Sequence, residues 1–230
     1  LMKILRSFLF YIIFYTGTFL YFSFFSPVKF FTTKFTIFLG RFWSKCTIHL
    51  SKLILGINFR VTGANNIPKD KPFLLVSNHQ SAWETFFFSY YFNCPVFILK
   101  KELKRIPIFS LYFKKIGFIF IDRDKKTHSL KHVIKSISGQ KKLGKKIFVI
   151  FPEGTRVEVN ENKKINLGFF AIQKVLNLPI LPLKHNSGFF WKNKKFTKDE
   201  GLINVKIFPL IKKLKNKEVA RKEINRIFKK

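Results

Sequence analysis

Residues 73–84 read Phe-Leu-Leu-Val-Ser-Asn-His-Gln-Ser-Ala-Trp-Glu. The first five form an apolar run without the alternation of a strand wetted on one face, and a polar cluster follows at once. A short continuous run of this kind suits a strand buried on both sides, and such strands belong to parallel sheets covered by helices. His79 then falls just past the carboxyl end of the strand, where open α/β sheets bind their ligands.

The same grammar recurs on both sides. Apolar runs occupy 59–62, 96–99, 118–121, 147–151, 180–183 and 205–208. Between them lie segments of helical length, among them 125–142 and 167–176, with a basic helix near 216–228. The expectation is an α/β fold with a largely parallel sheet flanked by helices. No internal repeat and no long flexible linker interrupts it, so residues 58–230 are expected to form one domain.

Two more polar groups follow apolar runs: Asp122-Arg123 after 118–121, and Glu153-Gly-Thr-Arg156 after 147–151. One polar residue after a strand is common; three such groups suggest convergence. His79 with Glu84 suits base chemistry, because a carboxylate can hold one imidazole nitrogen and orient the other outward. In one continuous helix these positions point about 140° apart. The pairing therefore requires His79 in a strand-to-helix turn and Glu84 reaching back from the helix. Arg123 offers a fork matched to phosphate, or else a surface pair with Asp122 of little consequence. Gly154 allows close backbone approach, Thr155 adds a hydroxyl and Arg156 a second guanidinium. Together they resemble a phosphate cradle, although a P-loop is absent; alone they would read as an ordinary turn.

The first 57 residues have another character. No charge occurs from 7 to 28, a stretch long enough to span a bilayer or to enter it as a re-entrant segment, bracketed by Lys3, Arg6 and Lys29. The apolar run is too long for a cleaved signal peptide and no small-residue cleavage site follows. Over 34–55, Lys34, Arg41, Lys45 and Lys52 fall in a narrow stripe of one helical face. The rest of that surface is apolar. Such a helix suits an interface with anionic headgroups; the rival is a helix buried against the domain with its stripe in water. Gly56 is expected to stop it. Residues 1–57 are thus read as membrane-associating helices.

Composition sets the outer limits. With 47% hydrophobic residues and 32 Phe in 230, the chain is too apolar to be disordered. Its 44 Lys+Arg against 12 Asp+Glu, a formal net charge of +32, draws it to polyanions without choosing among nucleic acid, anionic lipid and acidic carrier. Cys46 and Cys94 have no metal-type spacing and suggest no disulfide framework, which favours a reducing, cytosol-facing location. His128 and His132, four apart, lie among lysines and read as a solvated helix face rather than a metal site. Ser81 reads as a turn hydrogen-bonder and Cys94 as a packed residue, rather than as nucleophiles. His185 follows an apolar run and has no assigned role.

The ordered blocks Asn78-His-Gln-Ser-Ala-Trp-Glu84, Gly117-Phe-Ile-Phe-Ile-Asp-Arg123, Phe151-Pro-Glu-Gly-Thr-Arg156 and Leu178-Pro-Ile-Leu-Pro-Leu183 resemble the four motifs of the glycerolipid acyltransferases, and most of all the bacterial 1-acyl-sn-glycerol-3-phosphate acyltransferases. The resemblance covers roughly residues 56–210. It implies that His79 is the general base for attack of an acceptor hydroxyl on an acyl thioester, with Glu84 orienting and stabilising it. It also implies that Arg123, Gly154, Thr155 and Arg156 hold the acceptor phosphate, that Glu153 shapes that pocket, and that 179–182 help form the acyl or acceptor site. Lysophosphatidic acid is the implied acceptor and acyl-CoA or acyl-carrier protein the co-substrate. No cofactor, metal or nucleic acid is expected, and the implied location is the cytoplasmic face of the inner membrane. Two departures stand out. Glu84 replaces the commoner Asp, and Asn166 stands where many relatives carry a Lys, for which Lys163 or Lys164 could substitute. Acylation of another lysophospholipid or of glycerol 3-phosphate is the rival within this chemistry. A non-catalytic, basic membrane-anchored binder of anionic lipid or nucleic acid is the rival outside it.

Overall fold

A computed structural model of the chain describes residues 1–122, 126–161 and 163–229. Arg123 lies outside them. Two long helices, α1 (Met2–Phe24) and α2 (Thr33–Leu55), open the chain. Hydrogen bonds pair Arg6 with Ile54, Thr18 with Trp43 and Tyr21 with Leu39, so the helices run antiparallel. The Thr32 hydroxyl caps α2 by accepting the Phe35 N–H at 3.2 Å. Gly56 ends it in the left-handed conformation at φ 69°.

The rest alternates as the apolar runs require: β1 (Ile57–Thr62), β2 (Phe73–Ser77), α3 (Trp83–Tyr91), β3 (Val96–Lys100), α4 (Phe109–Ile116), β4 (Ile119–Ile121), α5 (Lys126–Lys142), β5 (Ile147–Ile150), α6 (Gly168–Leu176), β6 (Ile180–His185), α7 (Ser187–Phe190), β7 (Gly201–Ile207) and α8 (Lys217–Lys229). The seven strands form one sheet in the order β1-β7-β6-β2-β5-β3-β4. Every pairing is parallel except β6 with β7. The expected fold class is thereby observed, with every one of the expected runs a strand.

Neighbouring residues of β2 show why its run is continuous. Leu75 packs with Phe10, Ile48, Trp83 and Phe87 on the face covered by α1, α2 and α3. Leu74 and Val76 pack with Ile137, Phe169 and Ile224 on the face covered by α5, α6 and α8. A polar residue at either parity would be buried without water, so none occurs before Ser77.

α1 is long and apolar enough to cross a membrane, yet its first half is fastened to the sheet domain. Ser7 and Phe10 are fully buried. Phe10 meets Trp191 edge-to-face at 5.3 Å, and the Ser7 hydroxyl accepts the Lys198 N–H at 2.9 Å. Arg6 bridges the Ile54 carbonyl and Glu200, and Lys3 pairs with Asp199. The outer face of the hairpin is apolar: Phe8, Ile12, Phe19 and Phe24 of α1 and Phe35, Phe38 and Phe42 of α2 are exposed. Lys34, Arg41, Lys45 and Lys52 are exposed beside them, while Leu39, Ser44, Thr47, Ile48 and Ser51 pack inward. α2 is thus both buried on one face and basic and apolar on the other.

Candidate active site

Five residues separate β2 from α3, and His79 is the second of them. Glu84 sits in the first turn of α3 and reaches back, so that its Oε1 lies 2.7 Å from His79 Nδ1. Glu84 is fully buried. Its carboxylate also accepts the N–H groups of Gln80 and Ser81, each at 2.9 Å, and the Ser81 hydroxyl. Ser187, at the start of α7, brings its Oγ within 3.0 Å of the carboxylate and 2.7 Å of Ser81 Oγ. Burial works against the charge, but His185 and His79 nearby and the donors from His79 and Ser81 outweigh it, holding Glu84 well below the usual carboxylate range. A carboxylate can only accept, so Nδ1 of His79 carries the proton and Nε2 is left as the basic nitrogen.

The turn is fixed from two other directions. Asn78 is locked to β6: its side chain donates to the His185 carbonyl at 2.9 Å and accepts the His185 N–H at 3.0 Å. The ring of His185, 2% exposed, places Nε2 3.0 Å from the Asn78 carbonyl. Burial pushes its pKa below the usual histidine range, against the nearby Glu84 carboxylate. From β5, Phe151 stacks on the His79 ring at 4.0 Å. Glu153 accepts the His79 N–H at 2.5 Å, and the His79 carbonyl accepts the Val157 N–H at 2.8 Å. Gly154, at φ 74°, lets the chain reverse between these contacts.

That reversal splits the 153–156 group. Thr155 and Arg156 share a cleft of about 820 Å³ with His79, and its apolar arm runs between Phe86, Phe97, Phe113 and Phe118. Glu153 lines a different, polar cleft of about 730 Å³ with Asn78, Lys163 and Lys184. Burial, with Glu84 and Glu161 adding, raises the Glu153 pKa to about 7 against the His79 N–H and Lys163. Lys163 therefore stands beside Glu153 rather than Arg156. Asn166 donates its backbone N–H to the Pro152 carbonyl at 2.9 Å and braces the same loop.

Other sequence candidates lie apart. Asp122 pairs with Lys101 at 2.7 Å beyond β4, at the far edge of the sheet. Residues 178–183 sit in the core, with Leu178, Ile180, Leu181 and Leu183 at most 1% exposed. Their service to the site is to deliver His185 and Ser187. His128 and His132 are exposed on α5. Cys94 is buried, which drives its thiol up to about 12. Ser81 serves the turn, as its type suggests. Ser187 carried no signal in the sequence, because its partner lies 103 residues away.

An α/β sheet that holds a histidine–carboxylate pair beside a largely apolar cleft shared with a guanidinium has the parts that base-assisted transfer to or from an apolar substrate would use. The Acyltransferase family model matches residues 58–186. A 1-acyl-sn-glycerol-3-phosphate acyltransferase of Pseudomonas aeruginosa is 36% identical over 89% of this chain and 80% of its own length. One from Borreliella burgdorferi is 32% identical over 80% and 73%. The crystal structure of the 1-acyl-sn-glycerophosphate (LPA) acyltransferase PlsC from Thermotoga maritima superposes with a TM-score of 0.79, at 23% identity, over 99% of this chain and 95% of that one. The chain belongs to the acyltransferase family, a family of enzymes.

Proposed function

We propose that the protein transfers a fatty acyl group from a thioester to the free hydroxyl of 1-acyl-sn-glycerol 3-phosphate, giving phosphatidic acid. The carrying observation is the His79–Glu84 pair at 2.7 Å, with His79 opening onto the cleft that Thr155 and Arg156 share. His79 Nε2 removes the hydroxyl proton as the oxygen attacks the thioester carbonyl. Glu84 stabilises the imidazolium that forms, and the proton passes to the departing thiolate as the C–S bond breaks. No covalent enzyme intermediate and no cofactor is needed; acyl-CoA or acyl-carrier protein is a co-substrate.

Arg156 and Thr155 hold the acceptor phosphate, and Gly154 gives the loop its approach. Glu153 shapes the pocket by holding the His79 backbone. The aromatic arm receives an acyl chain, whose burial stabilises by about 0.8 kcal/mol per CH₂. The α1–α2 hairpin sits in the membrane with its exposed Phe residues, and the lysine stripe meets anionic headgroups on the cytoplasmic face. While Arg6, Ser7 and Phe10 are held by the sheet domain, α1 lies in one leaflet.

The test is acyl transfer by purified protein in vesicles, offering 1-acylglycerol 3-phosphate and an acyl thioester, beside His79→Ala. Phosphatidic acid from the unmutated protein alone is the expected result. Product from both proteins would remove His79 as the base.

A further inference from the structure

Between β6 and β7 the chain passes through a basic turn, Lys192-Asn-Lys-Lys195, which lies outside the four ordered motifs. Lys198, just beyond it, is 5% exposed. Its Nζ donates to the carbonyls of Lys192 at 3.0 Å and Lys195 at 2.5 Å. It also lies over the rings of Trp191 at 5.7 Å and Tyr11 at 5.9 Å. An ammonium is costly to bury, and this one is used to close a turn around the two residues between its carbonyl partners, Asn193 and Lys194. Lys194 adopts the left-handed conformation at φ 58°, which a side chain other than glycine takes only when its surroundings impose it. Asn193 and Lys194 form part of the wall of the same cleft as His79, Thr155 and Arg156.

The neighbouring lysines are placed otherwise. Lys192 pairs with Asp199 at 3.1 Å. Lys195 lines a separate hollow with Gln80 and Val159. Only Lys194 of the three joins Arg156 in the cleft.

We propose that residues 193–194 form a second wall of the acceptor's phosphate site, with Lys194 contacting the phosphate monoester and Lys198 holding the turn in place. This rests on the reading that a phosphorylated acceptor occupies the cleft. The potential there supports it. Burial lowers the Lys198 pKa to about 8, and Arg156 is the next cause. Arg156 and Lys198, cations from two separate loops, thus bear on one another beside the cleft, and a dianion bound between Arg156 and Lys194 would be favoured by both charges. The turn also supplies a cation to a site where Asn166 stands in place of the Lys that many relatives carry.

The experiment compares the unmutated protein with Lys194→Gln, Lys195→Gln and Lys198→Met in steady-state transfer to 1-acylglycerol 3-phosphate. Lys194→Gln is expected to raise the acceptor KM about tenfold, the scale of one charge-assisted hydrogen bond, with kcat and donor KM near the unmutated values. Lys195→Gln removes the same charge outside the cleft and should leave all three unchanged. Lys198→Met should raise the acceptor KM as Lys194→Gln does; should it fail to fold, the 194/195 pair still decides. An unchanged acceptor KM in Lys194→Gln overturns the proposal, as does an equal rise in Lys195→Gln or a rise confined to the donor. Binding of glycerol 3-phosphate, read by ligand-observed NMR, tests the site without turnover. Weaker binding by Lys194→Gln supports it even if phosphatidic acid is never formed, and equal binding overturns it.

Discussion

The Glu153 carboxylate accepts the backbone N–H of His79 at 2.5 Å, while itself lining a different cleft from the one Thr155 and Arg156 share. With the Val157 N–H on the His79 carbonyl, the loop after β5 grips both backbone groups of the histidine. The loop proposed to hold the acceptor therefore also supports the proposed base.

Glu153→Ala should lower kcat by one to two orders of magnitude while leaving the acceptor KM within about twofold, because an unsatisfied buried N–H costs about 1–3 kcal/mol and lets the ring drift. Glu153→Gln keeps an acceptor oxygen and should recover most of kcat. Steady-state kinetics on the two variants decides. A KM effect without a kcat effect would put Glu153 on the substrate instead.

The same residue gives a pH signature in stability. Its folded pKa of about 7 lies above the ordinary 4.5, so folding takes up a proton between these values. The sign is that its contribution is fully present below pH 4.5 and is lost as pH rises through about 7. Glu153→Gln has no proton to lose. Its stability relative to the unmutated protein should rise across that window, by on the order of 2 kcal/mol at pH 8, and thermal melts at pH 4.5 and 8 show it as a rise in relative Tm.

Ser187→Ala removes the long-range donor to Glu84. The carboxylate keeps its donors from His79, Gln80 and Ser81, so the fold should survive with a loss of about 1–2 kcal/mol. Transfer should slow by about tenfold with little change in acceptor KM. Full activity would leave Ser187 a packing residue.

Gly154→Ala places a Cβ at φ 74°, with Asn166 Nδ2 only 3.2 Å away. The strain is on the order of 1–2 kcal/mol, and relief by moving the loop would carry Arg156 and the His79 support with it. Denaturant unfolding should show the stability loss, and kinetics should show kcat and acceptor KM worsening together.

Phe10→Ala tests whether α1 belongs to the folded core. The ring is 0% exposed and packs on Phe14 and Trp191, so truncation should cost about 3–5 kcal/mol. Phe19→Ala, at an exposed position, should barely change stability and should instead weaken partition onto anionic vesicles. Equal Tm losses from both would contradict the one-sided packing of the helix.

The features legible along the chain are local and periodic. Strands buried on both faces leave unbroken apolar runs, so all seven can be placed from the order of residues alone. The His79–Glu84 pair is equally legible, because five residues with a turn between them leave one workable geometry. Gly56 as the end of α2 follows from the freedom of one residue type. Strand order is a property of the folded molecule, and the remaining contacts depend on it. Placing β6 and β5 on either side of β2 brings Ser187 to Glu84 and Glu153 to His79, contacts over 103 and 74 residues that no spacing encodes. The fold also sets Glu153 and Arg156 in different clefts, although they are close neighbours in the chain. The physical reason is that a chain's periodicity records which faces must be dry, while the partners met across those faces depend on which strands lie side by side.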